Sequence, residues 1–260
     1  TMRNQDQTTS SSAWGAGASA LPVSEAPAET RADFLKKTYS HLAAAVAALV
    51  ALELLYFAII PRDTLLSITG AVFGGFGGFG WVGILIAFAA VSYVAQKWAI
   101  EGVDSGKAYA GLALYTLAQS LILLPLLVVA TTFTGSDDAS TFGLIPTAVL
   151  VTALIVGGLT GFVFVTGANF NWLGGILAVG VLGLIGIFLG SLIFSFELGL
   201  IFIIFGVVLM SGFVLYETSN VLHTYPVGSH VAASLALFAS IATLFWYVLQ
   251  LLMILQGRDE

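Results

Sequence analysis

Between Thr64 and Gln96 the chain runs without a charged side chain, and similar uncharged stretches follow one another almost to its end. Backbone carbonyls and amides in such runs have no polar neighbours to lean on, so each run must satisfy its own hydrogen bonds as a helix buried in protein or lipid. Composition decides between the two. Only 8% of the 260 residues are charged and 58% are hydrophobic, where a soluble domain carries roughly a quarter charged residues. The chain therefore reads as a multi-spanning, all-α membrane protein.

The few charges also narrow its partners and chemistry. Eight Lys and Arg stand against 14 Asp and Glu, a net charge of −6, so there is no basic surface for nucleic acid. Cysteine is absent, which removes disulfides, thiolate catalysis and cysteine metal sites together.

Residues 1–30 are rich in Ser, Thr, Ala and Pro and too poor in large apolar side chains to build a core; they are expected to be a disordered tail. The first apolar run begins near Leu42 and continues as a full span, so the tail does not read as a cleavable signal. Residues 31–260 then form one transmembrane domain. Crossing about 30 Å of hydrocarbon takes roughly 20 helical residues, and seven runs qualify. They are expected over Ser40–Ile60, from Gly80 toward Gln96, Tyr109–Ala130, Leu144–Thr166, Trp172–Phe194, Leu198–Leu222 and Val231–Leu255. Only Ser195, Phe196 and Glu197 separate the fifth and sixth, which must form a tight antiparallel hairpin.

Cytoplasmic loops are enriched in Lys and Arg. A cytoplasmic N-terminus puts Arg31, Lys36, Lys37, Lys97 and Lys107 inside and Arg62 and Arg258 outside, so the C-terminus is expected outside. Asp137 and Asp138 then fall in an outer loop, and His223 and His230 flank the last inner one. Gly157 with Gly161, and Gly186 with Gly190, have the small-xxx-small spacing of close helix packing. Gly75, Gly77 and Gly80 satisfy G-x-G-x-x-G with Glu101 some way on, but no strand precedes them, so a dinucleotide site is rejected. The Gly74–Gly80 stretch reads instead as an irregular approach to the second span.

Ionisable groups inside spans are the informative residues, because a charge at mid-bilayer costs at least ~2.5 kcal/mol. Glu53 lies within the first span. Glu217 lies near the cytoplasmic end of the sixth, where Asn220 at i+3 can donate to it. The last span has no lysine for a retinal Schiff base, the three histidines sit at helix ends, and no H-E-x-x-H is present. No nucleophile and base pair emerges, so the chain is not read as an enzyme, and no cofactor is expected. Ser211-Gly212 reads as packing. Acidic residues in spans leave transport open, although no inverted repeat with paired broken helices is visible.

Three stretches carry a resemblance. Phe34-Leu35-Lys36-Lys37-Thr38-Tyr39-Ser40-His41-Leu42-Ala43, Leu215-Tyr216-Glu217-Thr218-Ser219-Asn220-Val221, and Ala233 to Phe238 with Thr243-Leu244-Phe245 resemble the Bax inhibitor family in its bacterial branch. The likeness runs from about Arg31 to the C-terminus. It implies six helices surrounding a central C-terminal helix, and a pH-sensitive calcium leak through the bundle. In that family two aspartates, on the sixth and seventh spans, are thought to gate the path by sharing a proton. The matching positions here are Glu217 and Ser240, and the serine is a departure, since it carries no titratable proton to share. Calcium favours several oxygens with more than one carboxylate, so Glu217, the one metal-ligand candidate, is a poor calcium site alone. Lys97 matches a basic latch and is expected to pair with Glu217.

Two functional readings follow. One is a calcium or cation pathway using Glu217, Ser240, Lys97, Asn220 and Glu53. The other is a non-conducting regulator that binds a membrane-anchored ATP-dependent protease, with the N-terminal tail as its handle. Either is expected in a bacterial plasma membrane.

Overall fold

The computed structural model describes residues 21–74, 79–101, 106–133, 143–194 and 196–257. Eight helices follow one another: α1 (Ala28–Ile59), α2 (Arg62–Gly74), α3 (Phe79–Glu101), α4 (Gly106–Phe133), α5 (Leu144–Thr166), α6 (Leu173–Phe194), α7 (Leu200–His223) and α8 (His230–Gln256). Seven of them, all but α2, are long and apolar enough to cross a membrane. Their bounds agree with the seven expected runs to within a few residues, apart from the start of α1.

That start lies at Ala28, capped by the extended backbone of Pro27 (φ −52°, ψ 147°). Charged residues at Glu29, Arg31, Asp33, Lys36 and Lys37 hide the helix from a search for apolar runs. The buried positions reveal it: Phe34, Thr38, Leu42, Ala45, Leu49 and Glu53 recur every three or four residues, one continuous helical face. The other face carries the exposed pair Lys37 Nζ–Asp33 Oδ2 at 2.8 Å, spaced i,i+4.

Ten residues of the stretch expected as a tail, 21–30, are described. Residues 21–27 are ordered, and Val23 is fully buried. A short 3-10 turn, Val23–Glu25, is tied to the α7–α8 loop: Val23 N donates to Tyr225 O at 2.9 Å, Val227 N to Leu21 O at 3.0 Å, and Ser24 Oγ to His223 O at 2.9 Å. Small polar composition suggested disorder, but two backbone bonds and one buried valine are enough to hold this strap. Residues 1–20 lie outside the described residues.

The strap also fixes the number of crossings. It joins the start of α1 to the end of α7, so those ends share one side of the bundle, and an even number of crossings must separate them. Six spans do so if α2 does not cross. At 13 residues and 1.5 Å per residue, α2 is about 20 Å long, too short for the bilayer core. The sequence reading left this stretch unassigned, and Gly75 and Gly77, with the irregular approach expected there, lie outside the described residues, as do Asp137, Asp138 and Arg258.

Helix α8 packs against α1, α3, α4, α5 and α7, and from residue 230 to 254 none of its positions is exposed. Phe238, Leu235, Leu237, Leu244 and Leu249 are its largest fully buried side chains. Lipid gives helices no hydrophobic reason to associate, so close packing and interhelical hydrogen bonds must hold them. One such bond is Ser234 Oγ, 2.8 Å from the carbonyl of Thr38 on α1 and 2.6 Å from its own His230 carbonyl. Ser234→Ala should cost about 1 kcal/mol in detergent unfolding, within the range of interhelical bonds in bilayers. Ser211→Ala, whose hydroxyl bonds only to Val207 of its own helix, should cost less; equal losses would remove the α1–α8 bond from the account.

The small-xxx-small expectation is corrected. A Cβ added at Gly157, Gly161 or Gly186 meets nothing within 4 Å, and at Gly190 it reaches only Phe196, at 3.7 Å. The intimate approaches fall at Gly111, where α4 meets the α3 backbone, and at Gly180, Gly206 and Gly212, each under a side chain of a neighbouring helix. Spacing reports which glycines share a face, not what lies opposite. Ser211-Gly212 does pack, since a Cβ at Gly212 would meet Leu177 Cδ2 at 2.8 Å. Helices α6 and α7 form the expected hairpin, with α7 beginning at Leu200.

Candidate functional site

Helix α7 ends in a polar turn whose residues Thr218, Ser219, Asn220 and Val221 are all buried, enclosed on every side. Ser219 Oγ accepts from Phe170 N at 2.8 Å, fastening this turn to the α5–α6 link. That link begins where Gly167 closes α5 in the left-handed region (φ 60°), its N–H returning to Val163 O at 2.9 Å. Asn171 Nδ2 reaches Thr224 Oγ1 at 2.9 Å just beyond α7. The end of α7 is thus held from two sides.

On that fixed turn sits Glu217. Asn220 Nδ2 donates to its Oε2 at 3.4 Å, as the i+3 spacing predicts, and the Tyr225 hydroxyl donates to the same oxygen at 3.3 Å. Burial, and then the neighbouring Glu217, push the Tyr225 phenol above its ordinary range. The group therefore stays a proton donor to the carboxyl throughout the physiological range. Tyr225 escapes a reading of the sequence by helix periodicity because it lies off the helices, in the loop that the strap holds. Its signal was the aromatic residue before Pro226, directly after a helix that ends in a polar run.

A cavity of about 330 Å³ opens beside Glu217. Ser240 and Thr243 of α8, Met210 and Phe213 of α7, Tyr225, and Gln96 of α3 contribute to its wall. Glu217 and Ser240 therefore share one cavity, in keeping with their comparable depths along α7 and α8. Among the residues lining it, Glu217 is the one acid. Ser240 Oγ donates to Ala236 O at 3.0 Å in its own helix, and no hydrogen bond joins it to Glu217 among the described residues. Gln96 and Ile100 are exposed and stand at the mouth.

The expected Lys97–Glu217 pair is not formed. Lys97 Nζ lies 3.8 Å from Glu101 Oε1, and Lys107 Nζ lies 3.7 Å from the other oxygen of the same carboxylate. All three side chains are about half exposed. The reason is helical phase: Gln96 reaches the cavity, while Lys97, one residue on, is turned to the outer surface beside its i+4 partner. Glu101, the acid of the rejected G-x-G-x-x-G pattern, is thus the bridge between two lysines. Glu53 is not at this site either. It belongs to the buried face of α1, twelve residues beyond His41, whose ring lies 5.0 Å from that of His230 at the start of α8. It therefore lies about 18 Å of helical rise inward from that end, close to the depth of Ser240, about 15 Å along α8 from His230, but it lines a different opening.

The geometry can bind and release one proton or hold one cation beside a neutral hydroxyl wall. The comparisons with known proteins agree with the fold. The sequence profile described as "Inhibitor of apoptosis-promoting Bax1" matches residues 31–257. Bax inhibitor 1 of Schizosaccharomyces pombe is 35% identical over 118 residues, 44% of this chain and 43% of that protein. A BI1-like protein of Arabidopsis thaliana is 29% identical over 140 residues, 51% of this chain and 55% of its own. An uncharacterized protein of Pseudomonas aeruginosa is 34% identical over 116 residues, 44% of this chain and 52% of its own. The chain thus spans about half the length of the curated relatives it matches. No solved structure matches it.

Proposed function

The chain belongs to the Bax inhibitor family, a family of membrane proteins, and on that premise we propose that it is a pH-sensitive leak pathway for calcium or other cations, gated at Glu217. One observation carries the reading: a single cavity has Glu217 and Ser240 on facing helices, with Glu217 as its only acid and two donors fixed on one carboxyl oxygen. Ionised, Glu217 offers a passing cation the negative charge that the apolar bundle otherwise lacks; protonated, it offers a neutral hydrogen-bonding wall. Ser240 supplies a hydroxyl where a second carboxylate would share the proton, so the gate titrates as a single group rather than a coupled pair.

The grouping of Arg31, Lys36, Lys37, Lys97 and Lys107 at the end of the bundle that carries Glu217 supports a cytoplasmic N-terminus and a cytoplasmic mouth. The absence of exposed residues along α8 from 230 to 254 supports its role as the central helix of the bundle. Bacterial relatives support a bacterial plasma membrane.

Calcium entry into dye-loaded proteoliposomes, compared at acidic and neutral pH, tests the reading. Wild-type protein should give pH-dependent entry, and Glu217→Gln should make entry independent of pH. A Glu217→Gln profile that follows the wild type would sink the gating role. Absence of flux from folded wild-type protein would move the assignment to a non-conducting regulator of a membrane-anchored ATP-dependent protease.

A further inference from the structure

A second opening lies on another face of α8 from the Glu217 cavity, at a similar depth along that helix: Phe238, Ile241, Ala242 and Phe245 line it where Ala236, Ala239, Ser240 and Thr243 line the first. It is a groove of about 560 Å³ between α1 and α5, floored by α4 and α8. Its rim is apolar and open to lipid: Val50, Leu54 and Val149 are each exposed. Its floor is closed by Leu127, Phe238 and Ala242, all buried. Gly157 widens it, since a Cβ there would meet nothing within 4 Å.

Two polar side chains interrupt this surface. Glu53 is 8% exposed and Thr152 is 5% exposed, and among the described residues neither Glu53 oxygen nor Thr152 Oγ1 has a hydrogen-bond partner. No Lys, Arg or His lines the groove. A buried carboxyl group and a buried hydroxyl are normally paired, because desolvation is otherwise uncompensated. Inside a membrane the partner must come from the protein or from what enters the groove. Among the described residues the protein provides none.

We propose that the groove binds a lipophilic amine drawn laterally from the bilayer. Its apolar chain lies along the α1–α5 rim, and its ammonium donates to Glu53 and to the oxygen of Thr152. The volume falls within the roughly 300–1,000 Å³ typical of small-molecule sites. An ammonium has three donors and one positive charge, so it serves both polar residues and neutralises the carboxylate. A hydroxyl group brings a single donor and no charge. The site shares no lining residue with the Glu217 cavity and stands whether or not that cavity conducts.

Equilibrium binding of tritiated hexadecylamine to the full chain in phosphatidylcholine nanodiscs tests the assignment, with hexadecanol as competitor. The expected result is saturable binding near one amine per chain and at least tenfold weaker competition by the alcohol. Glu53→Gln should weaken binding at least tenfold, and Thr152→Val should weaken it about threefold. Val149→Trp, a change at the exposed rim, should abolish saturable binding and covers the case in which Glu53→Gln does not fold. Glu217→Gln should leave binding unchanged. Non-saturable uptake, equal competition by amine and alcohol, or wild-type affinity in folded Glu53→Gln or Val149→Trp would overturn the proposal.

Discussion

Gly111→Leu should leave little extractable, monodisperse protein, and any folded fraction should be destabilised by more than about 3 kcal/mol, beyond the usual range for overpacking. A Cβ at this position would lie 2.5 Å from Ala95 O and 3.2 Å from Ala99 N, both backbone atoms of α3. Neither can rotate aside, as a side chain would. Ala95 and Ala99 are themselves buried, so the two helices meet backbone to backbone and can relieve the clash only by separating along their contact. Gly206 makes a useful comparison: its added Cβ would meet the Tyr247 ring, a side chain that can shift where backbone cannot, so Gly206→Leu should cost less. Gly161→Leu, facing open space, should stay within about 0.5 kcal/mol of wild type. Unfolding in detergent monitored by circular dichroism ranks the three. Equal stability of Gly111→Leu and Gly161→Leu would refute the α3–α4 contact.

Phe238→Ala is expected to cost about 2–3 kcal/mol. The side chain is fully buried in α8, and its ring meets that of Tyr115 edge-on, with centroids 5.9 Å apart at 79°. In a water-soluble core such a truncation costs about 3–5 kcal/mol, part of it the lost transfer from water. Here the separated helices remain in lipid, so the transfer contribution largely vanishes and the loss of dispersion contacts and of the aromatic pair remains. Phe238→Leu, which keeps most of the volume, should cost under about 1.5 kcal/mol. A full 5 kcal/mol loss for the alanine variant would mean that the unfolded reference exposes this residue to water.

Much of this was legible in the sequence, for reasons particular to membranes. Lipid forces every span to be long, helical and nearly uncharged, so seven spans can be read by length and composition alone. Charges at a span's end defeat that reading, which is why α1 began twelve residues later in the sequence than in the structure. Glu217 stood out because a carboxyl group inside an apolar run is rare, and Asn220 followed from helical spacing. Its second donor, Tyr225, did not follow, because a loop has no period to betray which side chain turns inward. Lys97 misled because a motif match fixes its place in the chain but not its helical phase. Glu53 was equally visible in the sequence, yet only the packing of α1 against its neighbours says that it faces inward and lacks a partner.

The strap across the α7–α8 loop has a consequence for how the molecule is made. Ser24 and His223 are 199 positions apart, and chains emerge from the ribosome N-terminus first, at about 5–20 residues per second. The strap's first strand is therefore synthesised well before its partner, and waits while six spans enter the bilayer. Tyr225, which binds Glu217, is placed by this non-local joint. Glu217, Asn220 and Tyr225 leave the ribosome within a few residues of one another, so the carboxyl group and both its donors are made together and are then set against a segment synthesised long before them.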